Sequence, residues 1–223
     1  MPTTPIAADQ VVASLTNSFA AAKQHETPYR HWFIENCLSP DAVKLVGKLP
    51  FPAPELGGIS GKREVHNATR RYFDAENRAK FPVVAAVTDA LQDPRVIKAT
   101  ETTFGCKLAG SYLRVEFAQD INGFWLEPHT DLGVKLFTFL LYLSDEPGHA
   151  ALGTDIYDAN KKHVATSPFT PNGAMIFVPS NNTYHGFEAR DIPGVRKSVI
   201  INYVTTDWKA REQLAFPNTP IPA

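Results

Sequence analysis

Three short stretches of this chain carry residues that can do chemistry together: His129-Thr130-Asp131, then His185 far downstream, then Arg196-Lys197-Ser198. His129 and Asp131 are two residues apart, so on an extended strand both side chains point to one face. His185 is too distant for a local motif, so a sheet must fold back to deliver it. Two imidazoles and one carboxylate form a ligand set suited to a non-haem iron(II) ion with coordination positions left open. Arg196 and Ser198 share a strand face in the same way. A planar guanidinium beside a hydroxyl suits a carboxylate, which accepts two parallel hydrogen bonds from the arginine fork.

The elements that must position these groups can be read from the pattern around them. Ile6 to Lys23 places Val11, Val12, Leu15 and Phe19 at helical spacing. Ser39-Pro40-Asp41 is a helix start, with a capping hydroxyl and a proline in the first turn. Phe81–Leu91 and Asp93–Phe104 are predicted helices, the second opened by Asp93-Pro94 and stopped by Gly105. Residues 50 to 62 are too rich in proline and glycine for regular structure and predict a long loop, a candidate lid. From Ser111 the texture changes to short apolar or alternating runs at 111–118, 124–131, 135–144, 154–158, 162–166, 173–178, 184–188 and 195–204, most of them separated by turn residues. Eight short strands after a helical half predict a mainly β fold, a jelly roll backed by N-terminal helices. Residues 1–223 read as one domain: helical support over 1–110, a jelly-roll core over 111–204 and a C-terminal tail over 205–223.

Taken in order, Trp125-Leu126-Glu127-Pro128-His129-Thr130-Asp131, Phe139-Leu140-Leu141-Tyr142-Leu143-Ser144, Tyr184-His185-Gly186 and Arg196-Lys197-Ser198 resemble the iron(II)/2-oxoglutarate-dependent dioxygenases, in their prolyl-4-hydroxylase-like branch. An HxD alone is weak evidence, but the ordered set is strong. The resemblance covers about Ser111 to Tyr203 and implies a double-stranded β-helix of the cupin kind. It implies His129, Asp131 and His185 as catalytic iron(II) ligands, and Arg196 and Ser198 as the seat of the distal carboxylate of 2-oxoglutarate. With O2 as the other cosubstrate, the implied reaction is hydroxylation of a C–H bond coupled to release of succinate and CO2. Retention of Asp131 speaks against a halogenase. Two departures stand out: Leu152-Gly153-Thr154 occupies the place of a Gly-Gly-Thr/Glu element, and the role of Lys135 does not transfer.

Strand alternation extends the reading to substrate. Trp125 and Glu127 are expected on the His129 face of their strand, with Tyr112, Arg114 and Glu116 on one face of a neighbouring strand. Polar groups on an inward face need partners, which suggests a polar small-molecule substrate. Asn67, with His66, Arg70 and Arg71, follows the proline- and glycine-rich loop and could meet an anionic group. His25, His31, His149 and His163 are read as surface or hydrogen-bonded core residues.

Bulk properties narrow the classes. A net charge of −1 provides no field to draw nucleic acid or an anionic membrane. No signal peptide and no membrane-length apolar run is read. The two cysteines, Cys37 and Cys106, form no framework, which fits a reducing cytoplasm. Oligomeric state is not legible. Competing readings are a non-catalytic metal-binding jelly roll, a protein-modifying hydroxylase and a zinc hydrolase built on the same triad.

Overall fold

The computed structural model describes residues 6–53, 55, 61, 70–131 and 133–222. Five helices, α1 (Ala8–Ala20), α2 (Pro40–Gly47), α3 (Ala75–Lys80), α4 (Pro82–Gln92) and α5 (Pro94–Phe104), occur among these residues in the first half of the chain. Eleven strands accompany them: β1 (Lys23–His25), β2 (His31–Ile34), β3 (Arg71–Tyr72), β4 (Tyr112–Asp120), β5 (Leu126–His129), β6 (Lys135–Tyr142), β7 (Asp155–Tyr157), β8 (His163–Thr166), β9 (Ala174–Phe177), β10 (His185–Phe187) and β11 (Arg196–Val204). Each of the eight runs expected from Ser111 onward corresponds to one strand, β4 to β11, although β4 continues two residues past the expected end, to Asp120. The helix signals also act as anticipated. Ser39 caps α2 by accepting from the Ala42 amide, Asp93 caps α5 by accepting from Arg95, and Gly105 ends α5 in the left-handed region.

The strands form two antiparallel sheets. The larger runs β1-β2-β9-β6-β11-β4-β3 and the smaller β5-β10-β7-β8. This is the expected jelly roll. The helical half contributes more than support, because β1, β2 and β3 extend the larger sheet at both edges. These strands escaped the sequence pattern for physical reasons. β1 is wholly exposed, so it has no apolar alternation, and β3 has only two residues. α3 was likewise unreadable, since none of its residues is buried.

Alternation along β11 explains how one strand serves two sides. Val199, Ile201 and Tyr203 belong to the core under the helices, with Phe19, Phe104, Val115 and Phe139. Arg196, Ser198 and Ile200 face the space between the sheets, whose apolar floor includes Tyr142, Phe169, Phe177 and Phe187. β11 pairs along its whole length with β4, from Arg196 opposite Asp120 to Val204 opposite Tyr112. The tail is tied to β4 as well: the Ala215 amide donates to Leu113 and the Ile221 amide to Ser111.

Most of the candidate lid, residues 54, 56–60 and 62, lies outside the described residues, as does Asn67. Gly61 is described, and it docks on β5. Its amide donates to the Trp125 carbonyl and its own carbonyl accepts from the Glu127 amide, each at 3.0 Å. Its φ of +97° and the Trp125 ring, 2.1 Å from where a Cβ would sit, leave room for glycine alone.

Candidate metal centre

His129 and His185 are opposite each other across β5 and β10. Each imidazole is oriented by its own backbone. His129 Nδ1 donates to the Glu127 carbonyl at 2.9 Å, and His185 Nδ1 donates to the Thr183 carbonyl at 3.1 Å. A carbonyl can only accept, so both rings carry their proton on Nδ1 and present Nε2 as the ligand nitrogen. The ring centroids are 4.3 Å apart, and His185 also packs on Phe177. Asp131 follows β5, and its Oδ2 lies 3.8 Å from His185 Nε2. One ligand atom from each of the three residues lies within 4.8 Å of the others. Burial, followed by the neighbouring His129 ring, pushes His185 down to about 3, so it is neutral as a metal ligand requires. The donor set therefore fits a divalent ion with sites left open.

Asp131 is held from both sides. Lys135 Nζ donates to Oδ1 at 2.9 Å and Thr138 Oγ1 to Oδ2 at 2.8 Å, and both partners are buried. From Thr138 a buried polar chain crosses the larger sheet. Asn202 donates to Thr138 at 3.1 Å, and Arg114 reaches Asn202 at 3.5 Å. Arg114 then pairs with Glu116 at 2.7 Å, and Glu116 lies 3.2 Å from Arg70. Arg70 pairs with Asp120 at 2.6 Å, and Asp120 with Arg196 at 2.6 Å. The Asp131 carboxylate and the expected keto-acid arginine are thus the two ends of one network. Burial works to raise both acids. Arg114 and Arg70 outweigh it at Glu116, and Arg70 and Arg196 at Asp120, so both are held below the ordinary carboxylate range.

Arg196 is inward and buried, as alternation required, and Asp120 is the anion that offsets its charge. Its Nε donates to the Leu152 carbonyl at 2.7 Å, and its guanidinium lies over the rings of Phe187 and Phe169. Ser198 is buried two residues along the same face and lines the same cavity of about 100 Å³ as the triad. Tyr142 lines it too, with its hydroxyl bonded to Thr154 and Ser167. Of the Leu152-Gly153-Thr154 stretch, Thr154 lines this wall and the Leu152 carbonyl holds Arg196. A Cβ on Gly153 would sit 1.8 Å from the Ser167 carbonyl oxygen, so the close approach requires glycine. Gly153→Ala is expected to cost about 1–3 kcal/mol through overpacking, read as a lower thermal midpoint with a displaced Arg196 wall.

The expected substrate face is corrected by a bulge. His129 pairs with His185 but Leu126 pairs with Phe187, so β5 spends one more residue than β10 over that stretch. The extra residue, beside Pro128 with its missing N–H, reverses the alternation. Leu126 and His129 therefore face the cavity together. Glu127 is exposed, Trp125 is 39% exposed and packs on Gly61, and neither is among the described residues lining the cavity. Tyr112 is also not among them. Its ring is covered by Arg211. Arg114 does line the cavity, stacked between the rings of Tyr72 and Trp208 and bonded to Gln213. Asp120, Tyr142 and Thr138 were missed as site residues, although each shares a strand face that alternation could have indicated.

No family model and no curated protein matches this chain. Solved structures do. A prolyl 4-hydroxylase from Phytophthora capsici superposes with a TM-score of 0.57 at 12% identity, over 94% of this chain and 69% of that one. A 2OG-Fe(II) oxygenase family oxidoreductase from Burkholderia pseudomallei gives 0.56 at 11% identity, over 92% and 93%. A Trichoplax adhaerens prolyl hydroxylase, in complex with a hypoxia inducible factor peptide fragment, gives 0.55 at 14% identity, over 88% of each chain. At these identities the likeness establishes the shared fold.

Proposed function

We propose that this chain is an iron(II)- and 2-oxoglutarate-dependent oxygenase that hydroxylates a C–H bond of a small polar molecule. The observation that carries the proposal is the convergence of His129, Asp131 and His185 on one cavity that Arg196 and Ser198 also line. Bound iron(II), 2-oxoglutarate and O2 would supply the oxidising chemistry, with one oxygen atom entering the substrate and the other entering succinate as CO2 leaves. The protein's own residues do the rest. His129 and His185 present Nε2, Asp131 is fixed by Lys135 and Thr138, and Arg196 with Ser198 offers donors to a carboxylate. Phe124, Leu140 and Phe187 line the cavity with apolar surface that would disfavour water there.

The decisive test is oxygen uptake and succinate formation by protein reconstituted anaerobically with iron(II). Both should require 2-oxoglutarate. Metal uptake without turnover would favour the non-catalytic jelly roll, and zinc-dependent hydrolysis without a keto acid would favour the hydrolase. A protein substrate is the second reading, supported by the peptide held by the Trichoplax relative in fold. The small cavity with ionic walls supports the small molecule. The loop at 50–62 is proposed as a lid, on the strength of its Gly61 anchor to the strand that ends in His129. No helix among the described residues is long and apolar enough to cross a membrane. Buried, unbridged Cys37 and Cys106 support a cytoplasmic location.

Arg196→Lys should retain the charge and lose the fork. The apparent affinity for 2-oxoglutarate should fall roughly ten- to a hundredfold, the value of one lost charge-assisted hydrogen bond, and Ser198→Ala should cost less. Anaerobic titration of the keto acid checks both, and unchanged binding in the lysine variant would move the anchor elsewhere.

A further inference from the structure

The walls of the cavity are more charged than the proposed reaction needs. Among the described residues, four cations (Arg70, Arg114, Lys135 and Arg196) face three carboxylates (Glu116, Asp120 and Asp131). All seven are buried. Iron(II) and the 2-oxoglutarate dianion would cancel each other, so loading them leaves the excess positive charge of the described lining in place. An uncompensated charge in a site screened from water is costly, and a ligand that supplies the missing anion relieves that cost.

The distribution of partners shows where the excess sits. Lys135 is held by Asp131, and Arg114 by Glu116, Gln213 and two stacked rings. Arg196 is proposed to take the keto acid. Arg70 must share both of its carboxylates: Asp120 with Arg196, and Glu116 with Arg114. Its Nε is buried with no hydrogen-bond acceptor among the described residues, although Glu116 Oε1 is 3.2 Å away. The guanidinium lies over the Phe124 ring, and the apolar lining of the same cavity includes Leu126, Leu140, Ile200 and Trp208.

We infer that the primary substrate is a small monocarboxylate with a short hydrocarbon part, its carboxylate seated against Arg70. The inference rests on the proposed oxygenase reading, because that reading places 2-oxoglutarate on Arg196 and leaves Arg70 for the substrate. It narrows the substrate class from polar to anionic. A carboxylate there would accept from Arg70 and relieve its competition for Glu116 and Asp120. The hydrocarbon part would lie along Phe124 and Leu126 toward the triad.

The test is fluorine NMR with 4,4,4-trifluorobutyrate and its primary amide as probes. Each is titrated into protein carrying zinc(II), which is redox-inert, and 2-oxoglutarate at a concentration shown to saturate that variant. The acid should bind saturably, and the amide about tenfold or more weaker, since it lacks the charge-assisted bond. Arg70→Gln should weaken the acid by about tenfold. Glu116→Gln should have the opposite effect and tighten it, because it removes the carboxylate that competes for Arg70. Damage to the fold cannot raise affinity, so the second variant decides the matter even where Arg70→Gln folds poorly. Equal binding of acid and amide, no saturable binding of the acid, or an acid affinity that does not rise in Glu116→Gln would overturn the inference. Failure of the wild-type protein to bind 2-oxoglutarate, read separately before any probe is added, would remove the oxygenase reading and this one with it.

Discussion

Alanine at His129, Asp131 or His185 is expected to abolish 2-oxoglutarate-dependent succinate formation, with a loss of at least about a thousandfold in each case. Under the proposed reading three protein ligands would leave no redundancy, and the remaining two would not suffice to hold the ion. The three variants should differ in stability, and that difference identifies the architecture as well as the chemistry. His129 is half-buried and gives up one bond to the Glu127 carbonyl, so His129→Ala should cost little. Asp131→Ala instead removes the carboxylate that holds Lys135, leaving a buried ammonium without that partner, which is expected to cost about 3–5 kcal/mol. Metal content by mass spectrometry, succinate yield and the urea midpoint measure the three quantities. Wild-type turnover in any one variant would remove that residue from the ligand set. Equal stability of Asp131→Ala and the wild type would mean that the Lys135 contact is not a working ion pair.

Asp120→Asn should produce the largest loss of stability without touching a metal ligand. Asp120 is 2% exposed and serves two guanidiniums, Arg70 on one oxygen and Arg196 on the other. Asparagine keeps the shape but removes the charge, so Arg196 would lose the carboxylate it pairs with and Arg70 would keep only Glu116, which Arg114 also engages. Breaking a buried pair in this way costs about 3–5 kcal/mol, a large part of the 5–15 kcal/mol typical of a folded domain. Part of the deficit should be recovered when 2-oxoglutarate binds, because its distal carboxylate supplies an anion to Arg196. A ligand bound only by the folded state stabilises it in proportion to its affinity. The expected result is a larger thermal shift on adding manganese(II) and 2-oxoglutarate to Asp120→Asn than to the wild type. A smaller shift would show that Asp120 positions Arg196 for the keto acid rather than competing with it.

Much of this protein was legible along the chain. Strand alternation is a local rule, so the shared faces of Arg196, Ser198 and Ile200 on β11, and of Arg114 and Glu116 on β4, followed from position alone. Cap residues such as Ser39 and Asp93 act within one turn, and they placed α2 and α5 correctly. The convergence of His129, Asp131 and His185 was legible because the first two are separated by one residue in a strand-like stretch and the third sits in a strand-like setting beside glycine. The tertiary structure decided the rest, and in each case the cause is non-local. The bulge at Pro128 exists only relative to β10, and it turned Trp125 and Glu127 away from the cavity that their parity predicted. The pairing of Asp120 with Arg196 depends on the register of β4 against β11, and a one-residue slip would have put neither opposite the other. Arg70 had no alternating strand to mark its face. It was buried by the fold and placed between two carboxylates of β4, so its electrostatics depend on cross-strand geometry that no window of sequence contains.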